Sequence, residues 1–167
     1  MELCIICTRE GNVSAAISQV LGKKVNTDKT TKGIPFLRGD DHCVSLSHKD
    51  SRMAVALSDR KVGVDIERIE DRDSHYRIAA TYFGETVPDG DCIAFFRAWT
   101  RREAYGKLLG VGLTPQIMRL DLGADSLDTP EGRVYFVEKR VDEYMITTAS
   151  YYPDGELILI GGRENEE

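Results

Sequence analysis

The stretch WTRREAYGK, Trp99 to Lys107, lies inside the strongest predicted helix of the chain, Cys92 to Leu109. Good helix formers fill this segment, and two glycines that follow it predict its end. Trp99, Glu103 and Lys107 are spaced four residues apart, so they share one face of the helix. Because a tryptophan on that face is expected to be buried, Glu103 is predicted to point into the protein or into a cleft.

A second acidic pair lies in KVGVDIERI, Lys61 to Ile69, a stretch typical of a buried strand. Residues two apart in a strand project to the same face. Val64 and Ile66 are therefore predicted to face the core, while Asp65 and Glu67 lie side by side on the other face. Two carboxylates this close repel each other and raise the pKa of one, unless a cation lies between them.

The carboxylates of Asp65, Glu67 and Glu103 indicate a site for one divalent ion. Such hard oxygen ligands suit Mg²⁺, which commonly takes one or two carboxylates, waters and substrate phosphates. Simpler explanations remain open for each acid. The strand end can be solvated, with Arg68 pairing one of its acids. Glu103 can form an ordinary surface ion pair with Lys107, one helical turn further along.

The rest of the chain predicts two shorter helices and a series of strands. The helices are a short one capped by Asn12 and ending at Leu21, and Ser74 to Phe83. The strands are Leu3–Thr8, Val44–His48, Met53–Leu57, Val62–Ile66, Met118–Leu122, Gly132–Lys139, Glu143–Ser150 and Glu156–Ile160. Turn residues predict one hairpin within 53–66 and another within 144–160. Hairpins in both halves indicate two related α+β lobes, an N-terminal lobe over 1–60 and a C-terminal lobe over 61–167.

The composition of the 167 residues is that of an ordinary globular protein, 41% hydrophobic and 30% charged. A net charge of −6 argues against a general binder of nucleic acid or of anionic membranes. The sequence has no apolar run long enough to span a bilayer and no signal-peptide pattern at its start. We therefore expect a cytoplasmic protein.

The four cysteines are Cys4, Cys7, Cys43 and Cys92. The C-x-x-C spacing of the first two raises the possibilities of a redox site or a zinc site. No second C-x-x-C or histidine pair completes a zinc site. Buried free thiols are the favoured prediction, because residues three apart in a strand face opposite sides.

Together, GVDIE (Gly63 to Glu67) and WTRREAYGK (Trp99 to Lys107) resemble the 4′-phosphopantetheinyl transferases of the Sfp type. The pattern of that family is roughly G-[IV]-D-[IV]-E, then W-[ST]-x-K-E-[AS]-x-x-K. VSLSH (Val44 to His48) resembles its N-[IL]-S-H segment, and GIPFL (Gly33 to Leu37) its G-K-P-Y segment. Each motif alone is weak, but the ordered set, from about Gly33 to Thr114, is specific.

The resemblance implies an α+β fold of two pseudo-symmetric lobes, with antiparallel sheets each packed on a long helix. It also implies a monomer whose active site lies between the lobes. The implied reaction moves the phosphopantetheine arm of coenzyme A to a serine of an acyl- or peptidyl-carrier protein and releases adenosine 3′,5′-bisphosphate. The implied cofactor is Mg²⁺, with Mn²⁺ as an alternative.

The resemblance also implies residue roles. Asp65, Glu67 and Glu103 are the expected metal ligands, and Glu103 is expected to take the proton from the carrier serine. Lys107 is expected to support the departing phosphate oxygen. The expected coenzyme contacts are Ser47, His48, Arg102 and Lys32. From the residues alone, a single histidine such as His48 has a structural role as the simpler alternative.

The chain departs from the family pattern at several positions. Arg102 and Ile34 stand where the family usually has lysine, and Lys32 is the nearest replacement for the second. Against the family pattern, we expect an N-terminal lobe that is shorter than in most members, which leaves the contacts to the coenzyme 3′-phosphate unassigned. These departures keep two alternatives open: a non-catalytic relative that binds coenzyme A or a carrier, and a Mg²⁺-dependent phosphohydrolase that uses water.

Overall fold

The structure, a computed structural model, describes residues 1–9, 11–83, 87–88 and 90–161. The first part of the chain forms β1 (Leu3–Arg9), α1 (Val13–Leu21), β2 (Asn26–Lys29), β3 (Pro35–Arg38), β4 (Cys43–Lys49) and β5 (Arg52–Ser58). The second part forms β6 (Gly63–Arg68), α2 (Asp73–Ile78), a π-helical turn (Ala79–Phe83), α3 (Cys92–Leu109), α4 (Pro115–Met118), β7 (Ser126–Thr129), β8 (Gly132–Val141), β9 (Tyr144–Ser150) and β10 (Glu156–Leu159). None of the helices within the described residues combines the length and the hydropathy of a membrane span.

The strands of the described residues form two four-stranded sheets and one separate pair. The first sheet has the order β10-β1-β5-β4 and the second has the order β6-β9-β8-β7, while β2 pairs with β3. The same arrangement of three strands and one helix therefore occurs twice in the chain. In the first repeat (β1-α1-β4-β5) and in the second repeat (β6-α3-β8-β9), the opening strand pairs antiparallel with the closing strand, which pairs antiparallel with the strand before it.

The α+β class and the two related lobes are thus confirmed. One detail differs from the sequence expectation, because the first repeat packs on α1, which has only 9 residues rather than a long helix. β10 runs parallel to β1 in the first sheet. The last strand therefore lies with the first repeat, although the predicted division assigned it to the lobe over 61–167.

The two sheets pack face to face, and a helix covers the outer face of each. Ile5 and Ala54 of the first sheet share an apolar cluster with Val64 and Ile146 of the second sheet. On the outer sides, α1 packs against the first sheet and α3 against the second. Alternation along β1 places Cys4 and Cys7 in different clusters, both as buried free thiols, as the sequence predicted.

Three predictions of local structure are wrong. The segment 118–122 is not a strand: Thr114 Oγ1 accepts a hydrogen bond from Ile117 N and caps α4, which ends at Met118. β5 and β6 do not form a hairpin, because they belong to different sheets, and the same holds for β9 and β10. β7 was not predicted. Turn residues show that the chain reverses, but they do not show which sheet receives the next strand.

Candidate functional site

Gly63, the first residue of β6, allows the backbone of α3 to lie directly against this strand. A Cβ at this position would stand 1.8 Å from the carbonyl oxygen of Ala104 and 2.7 Å from the amide nitrogen of Leu108. No side chain tolerates such distances, so glycine is required here. The close approach brings Glu103 and Lys107 of α3 to the acidic face of β6.

Asp65 of β6 is only 4% exposed. Its Oδ1 accepts a 2.9 Å hydrogen bond from Ser47 Oγ, and the Lys107 ammonium lies 3.8 Å from the same oxygen. Its Oδ2 is buried and has no hydrogen-bond partner within the described part of the chain. Burial raises the pKa of Asp65 to about 7; Lys107 lowers it, whereas Glu67 and Glu103 raise it further. An unsatisfied buried oxygen is costly and marks a place where a ligand would compensate.

The two other predicted ligands lie close enough to affect each other's ionisation. Glu103 is half-buried, and this burial raises the pKa of its carboxyl group; Lys107 opposes the rise and Glu67 adds to it. Glu67 is engaged by a different cation, because its Oε2 lies 3.2 Å from the Nζ of Lys49.

The donor set fits Mg²⁺ chemically, although it is not assembled as a cage. Across the described ranges, no three His, Cys, Asp or Glu side chains converge closely enough to hold a metal ion as they stand. Mg²⁺ does not require such a cage, since it usually takes one or two carboxylates and completes its shell with waters and phosphates. The unpartnered Oδ2 of Asp65 is the oxygen such an ion would satisfy. The joint role of Asp65, Glu67 and Glu103 remains a prediction.

Two serine hydroxyl groups of β4 accept hydrogen bonds from backbone amides on the unpaired edge of β6. β4 and β6 are edge strands of their own sheets, and an edge strand leaves backbone groups without partners. The amide of Val64 donates to Ser45 Oγ at 3.1 Å, and the amide of Ile66 donates to Ser47 Oγ at 3.4 Å. Ser47, predicted as a coenzyme contact, therefore binds β6 through this amide and through Asp65.

Lys107 of α3 also connects the edge strands β4 and β6, through hydrogen bonds to a carbonyl oxygen of each. Its ammonium donates to the carbonyl oxygen of Val64 at 2.9 Å and to that of Leu46 at 3.2 Å. These two bonds fix the lysine between β4 and β6. The ammonium is thereby held beside Asp65 at the seam between the repeats, which is the line where β4 lies next to β6.

A coenzyme contact would require the Arg102 side chain to be accessible from a cleft, but the structure buries it. Its side chain is fully buried and donates to the carbonyl oxygens of Ala98, Met118 and Leu120 at 2.8, 3.1 and 2.6 Å. Its guanidinium also lies over the Phe83 ring, 4.1 Å from the ring centre. Arg102 thus fastens α3 to the segment after α4, and this geometry gives no support to a ligand contact.

The other predicted coenzyme contacts are accessible. His48 and Lys32 are both exposed, at the end of β4 and in the turn between β2 and β3. Ile34 of the same turn lies beside the end of α3, since its Cδ1 would be 3.7 Å from a Cβ on Gly110. No contact of these side chains with the three acids is found in the described part of the chain, so their roles stay predictions.

Trp99 is partly buried and packs against the core, as the sequence favoured. Its ring packs with those of Phe83 and Phe95, at 6.2 and 6.1 Å between centres. Sequence reasoning missed Ser45 and Lys49. The signal was the two-residue alternation that places both of them on the same face of β4 as Ser47.

Comparison with known proteins finds a family match for the part of the chain that carries β6 and α3. Residues 61–151, from β6 to the end of β9, match the family model of the 4′-phosphopantetheinyl transferase superfamily. The chain is 34% identical over 93 residues to the 4′-phosphopantetheinyl transferase gsp of Aneurinibacillus migulanus, covering 51% of this chain and 38% of that protein. It is 38% identical over 95 residues to the 4′-phosphopantetheinyl transferase AcpT of Salmonella typhi, covering 52% and 49%. AcpT of Salmonella typhimurium is 40% identical over 95 residues, with the same coverage.

The matched regions thus span half or less of the length of these curated relatives. The family match covers more than half of this chain and includes the strand with Asp65 and the helix with Glu103. The chain belongs to the 4′-phosphopantetheinyl transferase superfamily.

Proposed function

We propose that this protein transfers the 4′-phosphopantetheine arm of coenzyme A to a serine of an acyl- or peptidyl-carrier protein and releases adenosine 3′,5′-bisphosphate. The observation that carries the proposal is Asp65: a buried carboxylate with one unpartnered oxygen, set among two further acids and a lysine, inside the region that matches the family. A bound divalent cation would compensate that unpartnered carboxylate oxygen, whose burial is otherwise costly.

In this reaction a bond forms between the serine oxygen and the β-phosphorus, and the bond from that phosphorus to the bridging oxygen breaks. Mg²⁺, or Mn²⁺ in its place, would be held by Asp65, Glu67 and Glu103 and would neutralise charge on the diphosphate. Glu103 takes the serine proton, a role supported by the raised pKa of its half-buried carboxyl group. Lys107, held by two carbonyl bonds, keeps a positive charge beside the departing phosphate.

Ser47 holds Asp65 in place, while His48 and Lys32 are proposed contacts to the coenzyme phosphates. One chain suffices for the site, because Ser47 of the first repeat meets Asp65 of the second. We therefore expect a monomer. The free thiols of the described residues suit the reducing cytoplasm, where coenzyme A and carrier proteins meet.

The test is incubation of the protein with coenzyme A, Mg²⁺ and a panel of carrier proteins, read by the intact mass of the carrier. We expect one carrier to gain the phosphopantetheine mass, and the gain to disappear with EDTA or with Asp65→Asn. Equal release of the bisphosphate without any carrier would identify a phosphohydrolase instead. Binding of coenzyme A with no modified carrier and no release would identify a non-catalytic relative.

A further inference from the structure

Lys49 pairs with one of the predicted metal ligands, and the proposed reaction gives it no role so far. Its Nζ lies 3.2 Å from Oε2 of Glu67. Lys49 is the last residue of β4 and lies on the same face as Ser45 and Ser47, which both bind β6. Three alternate residues of β4 thus contact β6 in succession, and Lys49 reaches the acid beyond Asp65.

The two lysines of this site are held very differently. Lys107 donates to the carbonyls of Val64 and Leu46, so moving it would break two hydrogen bonds at the seam. Within the described residues, Lys49 has Glu67 as its only ion-pair partner within 4.0 Å, and its side chain is 40% exposed. Glu67 is 21% exposed, so the pair is partly exposed, and its contribution to the free energy of folding is smaller than that of a buried ion pair. Lys49 can therefore leave Glu67 without breaking any hydrogen bond to the strand edges that the structure describes.

The charges also favour an exchange. When all three carboxylates are ionised, they and the two ammonium groups leave one negative charge. A divalent ion that reaches Glu67 would repel the ammonium already there. The diphosphate of the substrate then offers anionic oxygens at the same place. A lysine is suited to move from Glu67 to the diphosphate, because its charge lies at the end of a flexible four-carbon stem.

We propose that Lys49 is an exchangeable cation: it neutralises Glu67 in the metal-free protein, yields that carboxylate to the divalent ion, and then binds the diphosphate of the substrate. This inference rests on the proposed function, but its test does not require transfer to a carrier. Lys61 provides a matched control, because its ammonium forms an exposed ion pair with Glu131 at 3.9 Å.

The experiment is calorimetric titration of Mn²⁺ into the metal-free full chain without coenzyme. Lys49→Met is expected to bind Mn²⁺ about three- to tenfold more tightly than the wild-type protein, since a competing charge is gone. Lys61→Met is expected to bind like the wild type. With Mn²⁺ saturating, ADP as a diphosphate probe should bind Lys49→Met more weakly than the wild type, and Lys49→Arg should restore its binding.

Unchanged or weaker Mn²⁺ binding by Lys49→Met would overturn the inference, as would a wild-type protein that binds no Mn²⁺ at millimolar concentration. If Mn²⁺ and ADP respond as stated while no carrier is modified, the exchange stands and the transferase proposal fails. If a carrier is modified while Lys49→Met and Lys61→Met bind Mn²⁺ equally, the transferase stands and Lys49 is only a surface partner of Glu67.

Discussion

The phenol of Tyr144 donates a 2.6 Å hydrogen bond to Asp50, although 94 positions separate the two residues in the chain. A related contact lies beside it, where Arg52 donates a 2.6 Å hydrogen bond to Asp142. Asp50 and Asp142 form the tips of the β4-β5 and β8-β9 hairpins, and both have positive φ, 54° and 51°. Each tip aspartate thus accepts from the side chain two positions after the other tip aspartate. The repeats are joined by the reciprocal contacts expected of a two-fold related pair.

Tyr144→Phe is expected to lower the free energy of unfolding by about 1 kcal/mol, because a hydrogen bond to a carboxylate between the two repeats is lost. Urea unfolding measures the change. Tyr76→Phe is the matched control, since Tyr76 donates a bond of the same length to Asp71, only 5 positions away and exposed. Equal losses in the two variants would mean that the contact between the hairpin tips contributes nothing beyond a local surface bond.

Gly63→Ala is expected to lower the free energy of unfolding by about 3 kcal/mol and to abolish carrier modification in the protein that still folds. The reason is the 1.8 Å that separates a Cβ here from the carbonyl oxygen of Ala104. To relieve this clash, α3 must move away from β6 and carry Glu103 away from Asp65. Gly123→Ala provides the control, because its Cβ would meet only the Asp121 side chain, at 3.2 Å. A fully active Gly63→Ala protein would show that the site tolerates a displaced helix.

Comparison of Ser47→Ala with Ser45→Ala tests whether Ser47 positions Asp65 or only accepts a hydrogen bond from the edge of β6. Each serine accepts a hydrogen bond from a β6 amide, so each substitution should lower stability by about 1 kcal/mol. Ser47 alone donates to Asp65. We therefore expect Ser47→Ala to lower kcat with little change in the KM for coenzyme A, and Ser45→Ala to leave both constants unchanged. Equal effects on kcat would reduce Ser47 to a structural role.

The pKa of Asp65 predicts how the stability of the metal-free protein depends on pH. Burial raises this pKa from 3.8 to about 7. The folded state therefore holds this proton more tightly, and the stability it contributes is present below pH 4 and is lost as the pH rises through about 7. In EDTA, Asp65→Asn should match the wild type near pH 4 and exceed it in stability near pH 8. Parallel curves for the two proteins at all pH values would mean that Asp65 titrates normally.

Removal of the divalent ion has a related consequence. An ion that binds the ionised carboxylates stabilises the folded state alone. Mg²⁺ at pH 8 should therefore raise the melting temperature of the wild-type protein and leave that of Asp65→Asn nearly unchanged.

The sequence predicted the elements that carry the acids because their patterns are local. Helix α3 was predicted with its observed bounds, Cys92–Leu109, and alternation assigned Asp65 and Val64 to opposite faces of β6. The distance between these two elements was not predictable from either pattern. It depends on Gly63, whose missing side chain matters only once α3 lies on the strand.

The wrong strand at 118–122 and the unsupported coenzyme contact of Arg102 share one physical cause. The alternating apolar residues of this segment resemble a strand, but its carbonyl oxygens at Met118 and Leu120 accept from Arg102 rather than from another strand. Arg101 does the same for Leu122, at 2.7 Å. Arginine side chains are usually exposed, so the sequence does not indicate that these two donate hydrogen bonds to loop carbonyl oxygens inside the protein.

Arg102→Met tests this reassignment. The substitution removes the guanidinium donor from the carbonyl oxygens of Ala98, Met118 and Leu120, so we expect the free energy of unfolding to fall by about 3 kcal/mol. Arg102→Lys keeps the charge but not the planar fork, and it should fall between this variant and the wild type. For the protein that remains folded at low temperature, we expect the dissociation constant of coenzyme A to stay within about twofold of the wild type, which is under 0.5 kcal/mol. Weaker coenzyme binding with unchanged stability would contradict the buried position and restore the contact that the sequence predicted.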